Sequence, residues 1–370
     1  MSRMTPTSLA ALSIAAVIGI ACADRSATSV DTPLGADVPT LRERYVTASD
    51  PAMNIDSVAT HAGTDGLTWL FASAKEGDVI RVFDASSGEL LRDIGGPGTA
   101  AGQFERPNGV VAIDGLLVIV ERDNRRVQIL NVPQLESIAV FGSEQLVNPY
   151  GAYVQAVGES SYRLFVTDNY ETADEQVPPD AELDRRVHVW DLEVARSANG
   201  TASSVASTYD GAFGETSGPG VLRVVESLWG DPEFDRLMIA EEDEDPIRGR
   251  VIKAYTLAGR FAGDTIGTGV FQAQAEGIAL YGCAGGEGYW VTTDQSEARN
   301  VFHVFDRRTL AHIGAFQGAT TLNTDGIWLT REPLPGFPAG AFFAVHDDQA
   351  VAAFDWRDIA TALDLGPCPL

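Results

Sequence analysis

Six times along its length this chain runs an apolar strand into a polar residue, turns, and begins another strand of the form V-x-V-F-D. The copies are WLFASAK with VIRVFD, LLVIVER with RVQILN, RLFVTDN with RVHVWD, RLMIAEE with VIKAYT, GYWVTTD with VFHVFD, and GAFFAVHD with VAAFDW. Their polar ends fall at Lys75, Arg122, Asn169, Glu242, Asp294 and Asp347, at intervals of 47, 47, 73, 52 and 53 residues. A period of this size, built from short strands and turns, is that of propeller blades, which bury their faces against one another. A helical solenoid of similar period needs apolar residues about every 3.6 positions, and no such run precedes Arg357–Leu363. The 37 glycines and 18 prolines suit many tight turns. The expected fold is all-β, a six-bladed β-propeller over residues 43–366. Tyr170–Arg185, inside the long interval, reads as a loop excursion.

A further short strand precedes each copy, opening at Asp50, Asn108, Tyr150, Glu226, Glu276 and Asp325. In a propeller the innermost strand lines the channel and its neighbour runs antiparallel. The start of one and the end of the other therefore share a face. That places Asp50, Glu226, Glu242, Glu276, Asp294, Asp325 and Asp347 around one mouth, flanked by Lys75 and Arg122. Crowded carboxylates raise one another's pKa unless cations or protons intervene. An all-oxygen donor set without His or Cys suits several Ca²⁺ ions. Lysine and arginine beside such ions complete a site for an anion such as phosphate. Lys+Arg of 26 against Asp+Glu of 52 leaves a net charge of −26. A surface this acidic repels nucleic-acid backbones and anionic lipid. GxSxG, HExxH and P-loop motifs are absent. The five histidines are scattered, and Gly96-Pro97-Gly98 reads as a turn.

The N-terminus reads as a targeting segment. Arg3 precedes the apolar stretch Leu9–Ala21, which is too short to span a bilayer. Ala21-Cys22-Ala23 then closes a signal peptide over 1–23, or Cys22 is the lipidated residue of a lipoprotein signal. Either way the protein is expected to be exported: periplasmic, anchored at the outer membrane, or secreted. Residues 24–42 read as a flexible tether, and no later stretch is apolar enough to span a membrane. Cys283 and Cys368 then remain, as a disulfide or as two buried thiols. A monomer is expected.

The C-terminal part resembles the β-propeller phytases through LMIAEEDE (237–244), QAEGIALYGCAGGEGYWVTTDQ (274–295), NTDGIWL (323–329), FPAGAFFAVHDD (337–348) and FDWRDIA (354–360). The N-terminal half fits more loosely, through SDPAM, ASAKEG, VERDNRRVQIL and PYG. The resemblance implies a calcium-dependent phosphomonoester hydrolase of the 3-phytase type. It implies attack of metal-bound water on inositol hexakisphosphate or a related ester. It implies calcium at Asp50, Tyr150, Glu226, Glu242, Glu276, Asp325 and Asp347. Lys75 and Arg122 would hold phosphate, and Lys75, Arg122 and Glu242 would carry catalysis. Asn169 stands at the substrate edge, where the family carries a lysine. Residues 102–130 also resemble an NHL repeat, which keeps open a non-catalytic binding propeller with structural calcium.

Overall fold

The computed structural model describes residues 38–63, 66–245 and 248–368. The signal segment, Cys22 and most of the expected tether lie outside them. Six antiparallel sheets follow one another along the chain. Blades 1 to 3 are built from Ile55–Ala62 to Leu90–Gly95, Pro107–Ile113 to Ser137–Phe141, and Pro149–Ala156 to Ala202–Phe213. Blades 4 and 5 run from Leu228–Asp231 to Phe261–Ile266 and from Gln274–Gly282 to His312–Gly318. Blade 6 takes Ile327–Thr330, Ala341–His346 and Ala350–Asp355 from the C-terminal end, and its outer strand is Tyr45–Val46. That strand pairs antiparallel with Ala352 and Ala353, so the two ends of the chain close the ring. Thr40–Leu41, expected as tether, lies parallel to Gln317 and Gly318 as a fifth strand of blade 5.

The alternation seen in the sequence places the core. In Leu116–Glu121 and Arg126–Asn131 every residue is buried, as central strands packed on both faces require. The strands at blade margins, such as Leu90–Gly95, are mostly exposed. Below the mouth, Trp229 and Trp328 meet edge to face at 5.2 Å, and both line a central cavity of about 50 Å³.

The inner strands touch through their backbones. A Cβ on Gly151 would lie 2.2 Å from the Glu226 carbonyl oxygen, closer than atoms approach. Gly326 would meet the Asp56 carbonyl at 2.5 Å, and its own N–H donates to that oxygen at 2.9 Å. Glycine here lets neighbouring blades register at the level of the mouth. After blade 6 the helix Trp356–Ala362, starting one residue earlier than expected, is capped by Asp355, whose carboxylate accepts from Arg357 N–H at 2.9 Å. Trp356 stacks on Tyr281 at 3.8 Å, and Cys368 is disulfide-bonded to Cys283. The tail is thus held to blade 5.

Candidate functional site

A repeated hydrogen bond defines the mouth. In blades 1 to 4 the N–H of the residue ending the second strand donates to the carbonyl two residues before the mouth position of the inner strand. Lys75 donates to Asn54, Arg122 to Arg106, Asn169 to Asn148 and Glu242 to Val224. The inner positions of blades 1 to 4 are therefore Asp56, Asn108, Tyr150 and Glu226. Glu276, two residues after the Gln274 that pairs with Gln295, and Asp325, which reaches Lys75 and Gln295, complete the ring.

Two assignments from the sequence move. Asp50 lies five residues before the inner strand opens at Ile55, and its carboxylate binds Arg81 at 3.1 Å. Asp56 takes the expected place. The signal was legible: Asp56-Ser57-Val58 parallels Glu226-Ser227-Leu228. In blade 5, Gln274 pairs with Gln295 and Ala275 with Asp294. Gln295 is therefore the counterpart of Lys75 and Glu242, and its amide donates to Asp325.

Asp294 belongs to a second ring one residue deeper, which the sequence reading did not separate from the first. Glu121, Asp168, Glu241 and Asp294 are all buried. Asp168 accepts from Val147 and Asn148 N–H at 2.8 Å each. Glu241 accepts from Arg223 and Val224 N–H at 2.9 and 3.0 Å. Asp294 accepts from Gln272 and Ala273 N–H at 2.9 and 2.8 Å. Glu121 accepts from Glu105 N–H at 3.2 Å. Arg126 pairs with Glu121 at 2.7 Å and Lys253 with Glu241 at 2.8 Å. These carboxylates clamp the loops that enter the inner strands. In blade 6 His346 does the same, its ring Nδ1 accepting from Leu322 N–H at 3.2 Å.

The mouth ring has a different character. One carboxylate oxygen from each of Glu226, Glu242 and Glu276 lies within 4.8 Å of the others. Burial, then Glu276 and Glu226, holds the Glu242 carboxyl well above the usual range. Burial, then Glu226 and Asp325, does the same for Glu276. Burial and the charges of Asp56 and Asp325 push Glu226 up to about 8, against the pull of Lys75 and Arg122. Asp325 is likewise pushed up to about 8, by burial and Asp56. Lys75 lies 2.6 Å from Asp56 and 3.4 Å from Asp325. Burial opposes its charge, but those carboxylates hold the ammonium above its usual value. Burial also opposes Arg122, yet bonds to Asp123 and Tyr150 raise it. Burial and Glu226 push the Tyr150 phenol up to about 12.

Four further residues complete the picture. Asp347 is exposed at the rim, whereas Asp348 bonds to Asp325 and feels Lys75 and Asp56. Both have left-handed backbones, with φ of 51° and 56°, which breaks strand alternation. Asn169 is buried, and its amide oxygen accepts from Val225 N–H at 3.4 Å. Asn108 was read only as an inner-strand start. It is fully buried, and neither amide atom has a partner among the described residues.

Carboxyls packed this closely need protons or a cation between them, and their donors are all oxygen. Glu226, Glu242 and Glu276 therefore fit Ca²⁺, with Asp56, Asp325 and Asp348 as a second acidic group beside Lys75. The sequence model of the Phytase family matches residues 221–352, which hold Glu226, Glu242, Glu276, Asp325 and Asp348, while Asp56, Lys75 and Arg122 lie outside it. A phytase-like hydrolase is the class this match supports. No curated protein matches the chain. Among solved structures it is similar to hydrazine synthase of Kuenenia stuttgartiensis, at 11% identity over 86% of this chain and 82% of that one, with a TM-score of 0.48. It is also similar to a chain of a nidogen–laminin complex, at 15% identity over 75% of this chain and 85% of that one, with a TM-score of 0.46. Neither likeness bears on function.

Proposed function

We propose that the chain is an exported, calcium-dependent phosphomonoester hydrolase acting on inositol hexakisphosphate or a related ester. The observation that carries this reading is the group Glu226, Glu242 and Glu276, inside the segment that matches the Phytase family. Glu226, Glu242 and Glu276 would hold calcium, with Asp325 and Asp56 beside them. Bound calcium supplies a Lewis acid that shares the charge of phosphate oxygens and makes water a stronger nucleophile. The chain's own residues do the rest. Lys75 and Arg122 present cations to the phosphoryl oxygens and orient the ester. Tyr150, bonded to Arg122, fixes the guanidinium in place. Glu242, whose carboxylate accepts from Glu226 N–H at 3.0 Å, ties the two metal-facing strands of blade 4 together.

The test is phosphate release from inositol hexakisphosphate, with Ca²⁺ and after chelation. Release that requires Ca²⁺ supports the reading. A chain that binds Ca²⁺ and gains thermal stability from it, yet releases no phosphate, is instead the non-catalytic binding propeller.

A further inference from the structure

Two histidines outside the mouth meet ring to ring in blade 5. His303 lies on the strand Val301–Asp306 and is fully buried. His312 opens the outer strand His312–Gly318, where it is exposed. A register shift after Val304 sets Phe305 opposite His312. His303 Nδ1 lies 3.2 Å from His312 Nε2. On its other side, His303 Nε2 faces Asp294, the clamp of this blade, at 3.5 Å. Phe271 packs against His303 and Phe305 against His312, with ring centroids 5.1 and 5.0 Å apart.

Blade 3 carries the same arrangement with a different last member. There His188 Nε2 faces the clamp Asp168 at 3.4 Å, and His188 Nδ1 lies 3.0 Å from the Tyr209 hydroxyl. The carboxylate favours a proton on Nε2, Nδ1 is left as an acceptor, and the hydroxyl donates to it. Two protons satisfy two links. In blade 5 the same tautomer of His303 leaves a lone pair on Nδ1, but a second imidazole stands where the hydroxyl would be. The Gly314 carbonyl also favours a proton on the His312 ring. Taken on Nδ1, that proton leaves His312 Nε2 as a second lone pair. The other tautomer of His303 would set a bare Nε2 against the Asp294 carboxylate, which is costly in a buried place. Three links share two protons, so the gap between the rings calls for one more cation. Burial and the charge of His303 push the His312 ring down to about 4, so His312 does not hold an added proton at neutral pH. Two nitrogens bound to one tetrahedral Zn²⁺ at about 2.0–2.1 Å lie about 3.3–3.4 Å apart. The observed 3.2 Å is close to that span. A carboxylate behind one ring and a backbone carbonyl at the other are the supports that metal-bound imidazoles use.

We propose that His303 Nδ1 and His312 Nε2 form a site for a borderline divalent cation such as Zn²⁺, with water completing its shell on the exposed side of blade 5. Imidazole nitrogens suit this class of ion, whereas the all-oxygen mouth suits Ca²⁺. The bound ion would lock the His303 ring against Asp294, and so the clamp on the Gln272 and Ala273 N–H groups at the entry to blade 5. The site does not require the mouth to be catalytic, so its test is read without turnover. Zn²⁺ is titrated calorimetrically into the full chain with the mouth saturated by Ca²⁺. His312→Tyr gives blade 5 the hydroxyl that blade 3 has, which closes the links with two protons and removes a ligand. It should weaken the Zn²⁺ event by at least about tenfold. Zn²⁺ should also raise the melting temperature of the parent more than that of the variant. Co²⁺ in place of Zn²⁺ should show the visible absorption of a nitrogen-bound ion in the parent and lose it in the variant. His312→Gln, at an exposed position, serves if the tyrosine variant folds poorly. A parent that binds no Zn²⁺ holds a proton in the gap instead, and the proposal is overturned. Zn²⁺ binding that is unchanged in both variants overturns it too.

Discussion

Glu226→Gln separates a metal-holding carboxylate from a structural one, because the two predict opposite signs. In the fold the Glu226 carboxyl is pushed from its ordinary 4.5 up to about 8 by burial, Asp56 and Asp325. Between these values the folded chain keeps a proton that the unfolded chain has lost. Stability in the absence of metal therefore falls as pH rises through this window, by about 1.4 kcal/mol per pH unit for each such proton. Across the window the carboxylate costs about 5 kcal/mol, shared with the neighbours that repel it. Glutamine keeps the shape and removes the charge. With divalent cations stripped, Glu226→Gln should match the parent near pH 4.5 and exceed it by about 2–5 kcal/mol at pH 8. With saturating Ca²⁺ at pH 8 the order reverses, because binding to the folded state stabilises the parent more than the variant. The assay is urea unfolding at both pH values, with and without Ca²⁺. A difference between parent and variant that is the same at both pH values would refute the reasoning. So would a variant that gains as much from Ca²⁺ as the parent.

Two other substitutions probe the neighbouring positions. Glu242→Gln should abolish calcium-dependent phosphate release while the fold survives. Glu241→Gln, one residue away, should leave the ester chemistry intact but lower stability by about 3–5 kcal/mol, because it strands buried Lys253 and weakens the clamp on Arg223 and Val224; equal melting temperatures for the two variants would contradict this. Asn169→Lys places an ammonium where the resembled family has one, and should lower KM for inositol hexakisphosphate about tenfold. An unchanged KM would show that this position does not meet substrate.

The blade count, the strand pairs and the side of the ring that carries the acids were legible, because alternation and a recurring polar strand end survive in every copy. What escaped was decided by single-residue register. Asp294 and Gln295 are adjacent and both polar, and only their pairing with Ala275 and Gln274 says which one faces the mouth. Strand alternation has Glu241 point away from Glu242. It does point apart, but into a buried pair with Lys253 rather than to solvent. Asp347 and Asp348 could not be ordered, since two consecutive left-handed residues suspend the alternation on which the reading depends. Asp50 drew attention through SDPAM, although Asp56 fits the repeat better. The closing strand Tyr45–Val46 and the added Thr40–Leu41 are two residues each, too short to carry any period.

The two rings divide the work of the fold. One residue position, exposed to the mouth, reads Lys75, Arg122, Asn169, Glu242, Gln295 and Asp347 around the six blades. The position before it reads Ala74, Glu121, Asp168, Glu241, Asp294 and His346. Chemistry varies at the first and repeats at the second, and the reason is energetic. A mouth whose carboxyls are held well above their usual range works against folding. The buried carboxylates behind it accept charge-assisted bonds from loop N–H groups, worth about 1.5–3 kcal/mol each. Those bonds fix the backbone from which the mouth residues project, whatever the mouth residues are. Blade 1 has Ala74 and no clamp of this kind. There the N–H of Ile55, the residue before Asp56, donates instead to the Asp348 carbonyl at 2.5 Å. The inner strand of blade 1 is thus fastened across the ring closure to blade 6. The seam that joins the two ends of the chain also positions Asp56 and Asp348 beside Lys75, so the integrity of the closure and the geometry of the acidic mouth are coupled there more directly than in any blade that carries its own clamp.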